Sequence, residues 1–298
     1  NTVGELAALI HIDPRRLRVL ALRPERFYRT YRIPKRRGGW RQINSPSKEL
    51  KAVQAWILRK ILDRLSTSPY ATAYIKGKRL LDNVSPHMSN RYFLSVDIQD
   101  FFPSVPALGV RRLFEALGYS RLAGYTLMRL CSYFSGLPQG AVTSPALSNL
   151  MCLKMDRRLA GLSSRRNVVF TRYADDITFS TNNRNALPRL LPLVYRILRD
   201  EGFEPNEEKT RLLGPRTQCV ITGLVKNSTL PTFGIGRKKK VAMRAIMHNL
   251  RAAGRPHEEY PNEASIEGWV QFLKNVDQAS HEQMVRYWTE LKTKYARG

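Results

Sequence analysis

Asn167-Val168-Val169-Phe170-Thr171-Arg172-Tyr173-Ala174-Asp175-Asp176-Ile177-Thr178-Phe179-Ser180 sets two adjacent carboxylates inside an apolar, β-branched run. Such a run reads as two strands meeting at a bend, which puts Asp175 and Asp176 at the turn of a buried hairpin. Bare carboxylates among apolar neighbours are costly unless a cation or a donor compensates them. On this stretch alone two readings stay open: a metal site, or a polar turn with two solvated Asp residues, Asp being a common turn former.

Upstream, residues 91–98 alternate, with Tyr92, Leu94 and Val96 on one face and Phe93, Ser95 and Asp97 on the other. The period of two predicts a strand, and it delivers Asp97 at its end. Three carboxylates meeting at a sheet edge would hold two divalent ions roughly 3.5–4 Å apart, the spacing used for in-line phosphoryl displacement. Cys131, Cys152 and Cys219 are odd in number and lack a Cys-x-x-Cys pair, so they read as reduced core residues of a cytoplasmic protein. The five histidines are scattered. Any metal would therefore be held by oxygen, the preference of magnesium and manganese.

The 298 residues suffice for a sizeable core in one or two domains, and 50 Lys and Arg against 24 Asp and Glu leave a formal charge of +26. An excess of that size repels itself, which points to a polyanionic partner, nucleic acid before a membrane surface. No stretch approaches the roughly 20 apolar residues of a membrane span, and Asn1-Thr2-Val3-Gly4-Glu5 shows no secretory pattern. Charge and carboxylates together suggest nucleotide polymerisation or nuclease chemistry, without choosing between them.

Asp13-Pro14 predicts a short basic helix over 14–21, residues 28–44 a β-rich stretch turning at Gly38-Gly39, and Ser47 the start of a helix with Leu50, Val53, Ile57 and Ile61 on one face. Helices are expected over 107–134 and 143–161, separated by the loop Ser135-Gly136-Leu137-Pro138-Gln139-Gly140, and over 187–201. Strands are expected at 210–213 and 219–226. Residues 231–240, rich in Pro, Gly and Lys, read as a linker, followed by helices whose core includes Trp269 and Trp288, with Ser280 and Gln283 as a capping box.

Tyr173-Ala174-Asp175-Asp176, Asp97-Ile98-Gln99-Asp100-Phe101-Phe102 and Leu137-Pro138-Gln139-Gly140-Ala141-Val142-Thr143-Ser144-Pro145 resemble the signature blocks of reverse transcriptases, in the right order. Asn206 with Lys209-Thr210 matches a further block, residues 29–42 look like the basic fingers hairpin, and the resemblance covers roughly residues 28–230. Asn83-Val84-Ser85-Pro86-His87 and Ile221-Thr222-Gly223 resemble retron-type blocks, departing from them by Val84 for Ala and Ile221 for Val.

The resemblance implies an α+β right-hand polymerase fold with a palm sheet, fingers and a C-terminal helical thumb. The expected division is N-terminal helices and fingers over 1–90, palm over 91–110, fingers and palm helices with the Pro-Gln-Gly loop over 111–165, palm again over 166–235, and thumb over 236–298. Asp97, Asp175 and Asp176 become the catalytic carboxylates, holding two Mg2+ ions, or Mn2+, with the Ile98 carbonyl. Phe102 would lie beneath the incoming sugar and exclude a ribose 2′-hydroxyl. Lys35 and Arg41 would grip the triphosphate, with Gln139 and Gly140 completing the nucleotide site. Asn83, His87, Pro138, Lys209, Thr222, Gly223, Arg237, Lys238, Lys239 and Lys240 would contact RNA, primer or template.

The implied reaction is RNA-directed DNA synthesis from deoxynucleoside triphosphates. For a retron type, a dedicated structured non-coding RNA serves as template and primer, a guanosine 2′-hydroxyl starts the chain, and the product is a branched RNA–DNA hybrid. Such systems include an effector protein and act in anti-phage defence. The rivals are another stand-alone bacterial reverse transcriptase, defence-associated or group II intron-derived, with different priming, and a catalytically silent RNA-binding protein.

Overall fold

The computed structural model describes residues 2–35, 38–227 and 230–296; Arg36 and Arg37, inside the basic hairpin, lie outside the described residues. The chain opens with helices α1 (Val3–Ile10) and α2 (Pro14–Leu22), the first not anticipated from sequence, then the hairpin β1 (Tyr28–Pro34) and β2 (Trp40–Pro46) and helix α3 (Lys48–Lys60). Asp13 caps α2 by accepting from Arg16 N, and Ser47 caps α3 by accepting from Leu50 N, as their positions before helical periodicity predict. Next come α4 (Leu80–Val84), β3 (Tyr92–Ile98), and α5 (Phe101–Ser104), α6 (Ala107–Ala116), α7 (Arg121–Cys131), α8 (Ser144–Met151) and α9 (Leu153–Ser164). The hairpin β4 (Val169–Tyr173) and β5 (Asp176–Thr181) follows, then α10 (Ala186–Asp200), β6 (Pro205–Leu213), and the short strands β7 (Val220–Ile221), β8 (Leu224–Lys226) and β9 (Phe233–Gly234). Helices α11 (Arg237–Ala253), α12 (Glu263–Lys274) and α13 (Gln278–Lys294) end the described chain.

The central sheet runs β4-β5-β3-β6, with every neighbour antiparallel. Its register places Asp97 opposite Asp176, and a bulge between Ser95 and Asp97 bends β3 against β6. Leu94, Val96 and Ile98 of β3 enter the main core with α10 residues Leu190 and Val194, while Phe93, from the other face, joins a second core with Trp269 and Trp288. One strand thus serves two cores, as its alternation requires. All three cysteines are free and buried. Among the described residues no helix is long and apolar enough to cross a membrane.

Two expectations need correction. Residues 231–240 are not a linker: Phe233–Gly234 pairs with β8, and Arg237–Lys240 form the first turn of α11. Ser280 is not an N-cap but sits inside α13, its N–H donating to the true cap Asp277 at 3.0 Å. Asp277 also accepts from Ile235 N at 3.1 Å, so one carboxylate starts the helix and fastens the preceding segment.

Candidate active site

Tyr173 pairs with Asp176, leaving Ala174 and Asp175 as a two-residue turn in which Ala174 takes the left-handed φ of 58°. Ile98 N donates to the Asp175 carbonyl at 3.1 Å, tying this turn to the end of β3. Asp97, nearly buried, lies across from Asp176 and accepts from Lys209 Nζ at 2.8 Å. Burial, followed by the Asp175 and Asp97 charges, pushes the Asp176 carboxyl up to about 6. Burial also raises Asp175, reinforced by Asp97 and opposed by Lys209 and Arg41. Three hard oxygen donors that repel one another in this way suit a divalent cation. Among the described residues, however, no group of three or more His, Cys, Asp or Glu is placed so that it could hold a metal ion. Within the protein, the Lys209 ammonium meets the charge of Asp97.

A cleft of about 650 Å³ opens over this edge, and Lys35, Arg41, Phe102, Gln139, Asp97 and Asp175 all face it. Sequence-distant elements build it through specific contacts. Asn44 N donates to the Gln139 carbonyl at 2.8 Å, docking β2 on the Pro-Gln-Gly loop. Gly140 (φ 125°) makes this possible, because a Cβ there would lie 2.9 Å from the Asn44 oxygen. The Phe102 ring, half-buried, leans on Phe101 at 5.5 Å and on Tyr74 at 6.2 Å between centroids.

Several expected nucleic-acid contacts are placed elsewhere. His87 is fully buried, with Nδ1 2.6 Å from Ser180 Oγ and Nε2 2.8 Å from Thr171 Oγ1, so it braces the sheet and offers no surface to RNA. Burial lowers its pKa to about 4, which keeps the ring neutral. Asn83 is likewise buried, accepting from Thr72 Oγ1 at 3.0 Å. Pro138 is buried and its carbonyl accepts from Ser144 Oγ at 2.7 Å, a support beneath Gln139 rather than a contact. Lys209 belongs to the cleft itself, on Asp97. Thr222 (φ 47°) and Gly223 (φ 81°) form the tight turn between β7 and β8 and do not line the cleft. Arg237, Lys238 and Lys239 are exposed, and Lys240 lies 3.7 Å from Asp277. Sequence reasoning missed Tyr74, which lines the cleft, and the buried Arg172–Asp156 pair behind it. An Arg within an apolar strand was the available signal for the pair; nothing in the local pattern marked Tyr74.

A four-stranded antiparallel sheet presenting paired aspartates below a basic hairpin is the arrangement of a template-directed polymerase. The family model described as "Reverse transcriptase (RNA-dependent DNA polymerase)" matches residues 33–226, and the chain belongs to that family. It is an RNA-directed DNA polymerase, and its relatives are of the retron type. Retron Ec86 reverse transcriptase of Escherichia coli is 36% identical over 100% of this chain and 91% of that protein. Retron Mx65 reverse transcriptase of Myxococcus xanthus is 36% identical over 88% of this chain and 64% of that protein. Among solved structures, telomerase from Candida albicans in complex with a TWJ fragment of telomeric RNA superposes with a TM-score of 0.55 at 13% identity, over 90% of this chain and 54% of that one. At that identity the likeness concerns the fold.

Proposed function

We propose that the chain copies a dedicated structured non-coding RNA into DNA, starting from a guanosine 2′-hydroxyl and leaving a branched RNA–DNA hybrid. The observation that carries the catalytic part is the register of Asp97 against Asp176, with Asp97 and Asp175 lining one cleft with Lys35, Arg41 and Phe102. In this reading residues 91–110 and 166–235 are palm, 1–90 are N-terminal helices and fingers, 111–165 are fingers and palm helices, and 236–298 are thumb. Asp97 and Asp175, with the Ile98 carbonyl, would hold two Mg2+ ions or their Mn2+ equivalents, and Asp176 supports them. When bound, such ions lower the cost of ionising the attacking hydroxyl and of releasing pyrophosphate.

The protein's own contribution is positioning and exclusion. Lys35 and Arg41 draw in the triphosphate, Arg41 through a fork of donors matched to phosphate oxygens. Phe102 occupies the space a ribose 2′-hydroxyl would need. Gln139, held through its carbonyl by Asn44, sets the nucleotide against the template. Lys209, which meets the charge of Asp97 within the protein, would be available to phosphate where a bound cation supplied that charge. The resemblance to retron enzymes also supports an effector protein as partner, a role in anti-phage defence and a cytoplasmic site of action.

The test is direct. Asp175→Asn with Asp176→Asn abolishes nucleotide incorporation while leaving RNA affinity nearly intact, and undiminished synthesis by that variant overturns the reading. Sequencing the nucleic acid that copurifies checks the retron part: a single branched species supports it, whereas mixed linear cDNA favours a stand-alone reverse transcriptase with different priming.

A further inference from the structure

A buried polar chain runs behind the cleft. Arg172, fully buried on β4, is clamped by both carboxylate oxygens of Asp156 on α9 at 2.7 Å each. Its Nη1 donates to Asn149 Oδ1 and to the Ala174 carbonyl, each at 3.1 Å, and Asn149 Nδ2 donates to the Ala73 carbonyl at 2.8 Å. Further bonds lace the same two segments, Arg172 N to the Tyr70 carbonyl at 2.8 Å and Thr72 N to the Arg172 carbonyl at 2.9 Å.

Each of the two carbonyls fixed by side chains adjoins a left-handed residue at or beside the cleft, where Asp100 (φ 45°) is a third such residue. Ala174 has φ 58° and precedes Asp175; Ala73 precedes Tyr74, which has φ 60°. Left-handed backbone at residues other than glycine persists where the surroundings over-determine it, and it concentrates at functional sites. Tyr74 gains little packing from its strained placement: it is 52% exposed, on the cleft wall, with its ring against Phe102. Core packing therefore does not explain why the ring is held there.

We propose that Tyr74 contacts the incoming deoxynucleotide beside Phe102, and that Asn149 is the positioning residue that holds Tyr74, through Ala73, in register with the Asp175 turn. This rests on the reading of the cleft as the nucleotide site. Asn149, 1% exposed, touches no substrate; its amide joins the two loops by accepting from one side and donating to the other.

The experiment is steady-state incorporation by the full chain on a primed RNA template, with wild type, Tyr74→Ala, Asn149→Ala and the double variant. Tyr74→Ala raises KM for the deoxynucleotide by about tenfold with kcat far less affected, the signature of lost binding. Asn149→Ala reproduces most of that rise, and the double variant is no worse than Tyr74→Ala, because residues acting through one contact are non-additive. Additive effects, or an unchanged KM with a fallen kcat, overturn the proposal. Asn149→Asp keeps the acceptor for Arg172 and loses the donor to Ala73, so it raises KM even if Asn149→Ala does not fold; a wild-type KM for Asn149→Asp overturns the positioning role. Should Asp175→Asn with Asp176→Asn be inactive while Tyr74→Ala keeps a wild-type KM, this inference fails and the cleft reading stands. Undiminished synthesis by the double Asp variant sinks both.

Discussion

Phe102 and His87 show how differently single residues carry their meaning. Phe102 was legible because its place after Asp97 matches a family block, and the structure sets its ring on the cleft wall. Phe102→Ala removes the bulk beneath the sugar, and the ratio of ribonucleotide to deoxynucleotide incorporation rises by about tenfold or more, a size typical of pocket sterics. Single-nucleotide incorporation assays measure it, and an unchanged ratio takes Phe102 out of that role. His87 was legible as part of a block but not as a core residue, because nothing local says that Ser180 and Thr171, more than eighty positions away, supply both its partners. Its folded pKa of about 4 lies below the ordinary 6.5. The unfolded chain therefore takes up the proton first, so stability present above pH 6.5 is lost as pH falls through about 4. The linkage is worth about 3 kcal/mol. Urea titrations across this window should show that loss in wild type, and a flatter profile in His87→Gln with lower stability at pH 7.

Elements were readable wherever one periodicity ran unbroken. The alternation of β3 and the β-branched arms of β4 and β5 predicted the central sheet, and Ser47 with its apolar stripe predicted α3. Residues 231–240 failed because Pro and Gly density signals a loop, while the contacts that order the segment, β8 pairing and the Asp277 carboxylate, come from elsewhere. The link between α9 and β4 was hidden for the same reason, since the partnership of Asp156 and Arg172 is purely tertiary. Both side chains are fully buried, and removing one partner leaves an uncompensated charge in the interior. Asp156→Ala should cost about 3–5 kcal/mol of unfolding free energy, measured by chemical denaturation. A loss below about 1 kcal/mol, the size of a surface pair, would show that water reaches the guanidinium.

At the scale of the whole molecule, β3 joins the two cores, with Leu94 in one and Phe93 in the other, so the C-terminal helices are anchored to the strand that carries Asp97. Across this body the charge of +26 is not neutralised internally. Arg237, Lys238 and Lys239 are exposed in the first turn of α11, where the helix dipole disfavours cations. That placement is opposed by its own helix and is compensated when a polyanion lies against it. Each phosphate neutralised releases counterions, so the logarithm of the RNA affinity falls linearly with the logarithm of salt concentration, by roughly 0.7 to 0.9 per contact. Replacing Arg237, Lys238 and Lys239 together by Ala should therefore make that slope shallower by about two. Lys240, which faces Asp277, is left in place to spare the cap of α13. Filter binding between low and physiological salt measures both slopes. Parallel lines would remove this turn from the RNA contact, and a flat line for the wild type would separate the charge excess from nucleic-acid binding altogether.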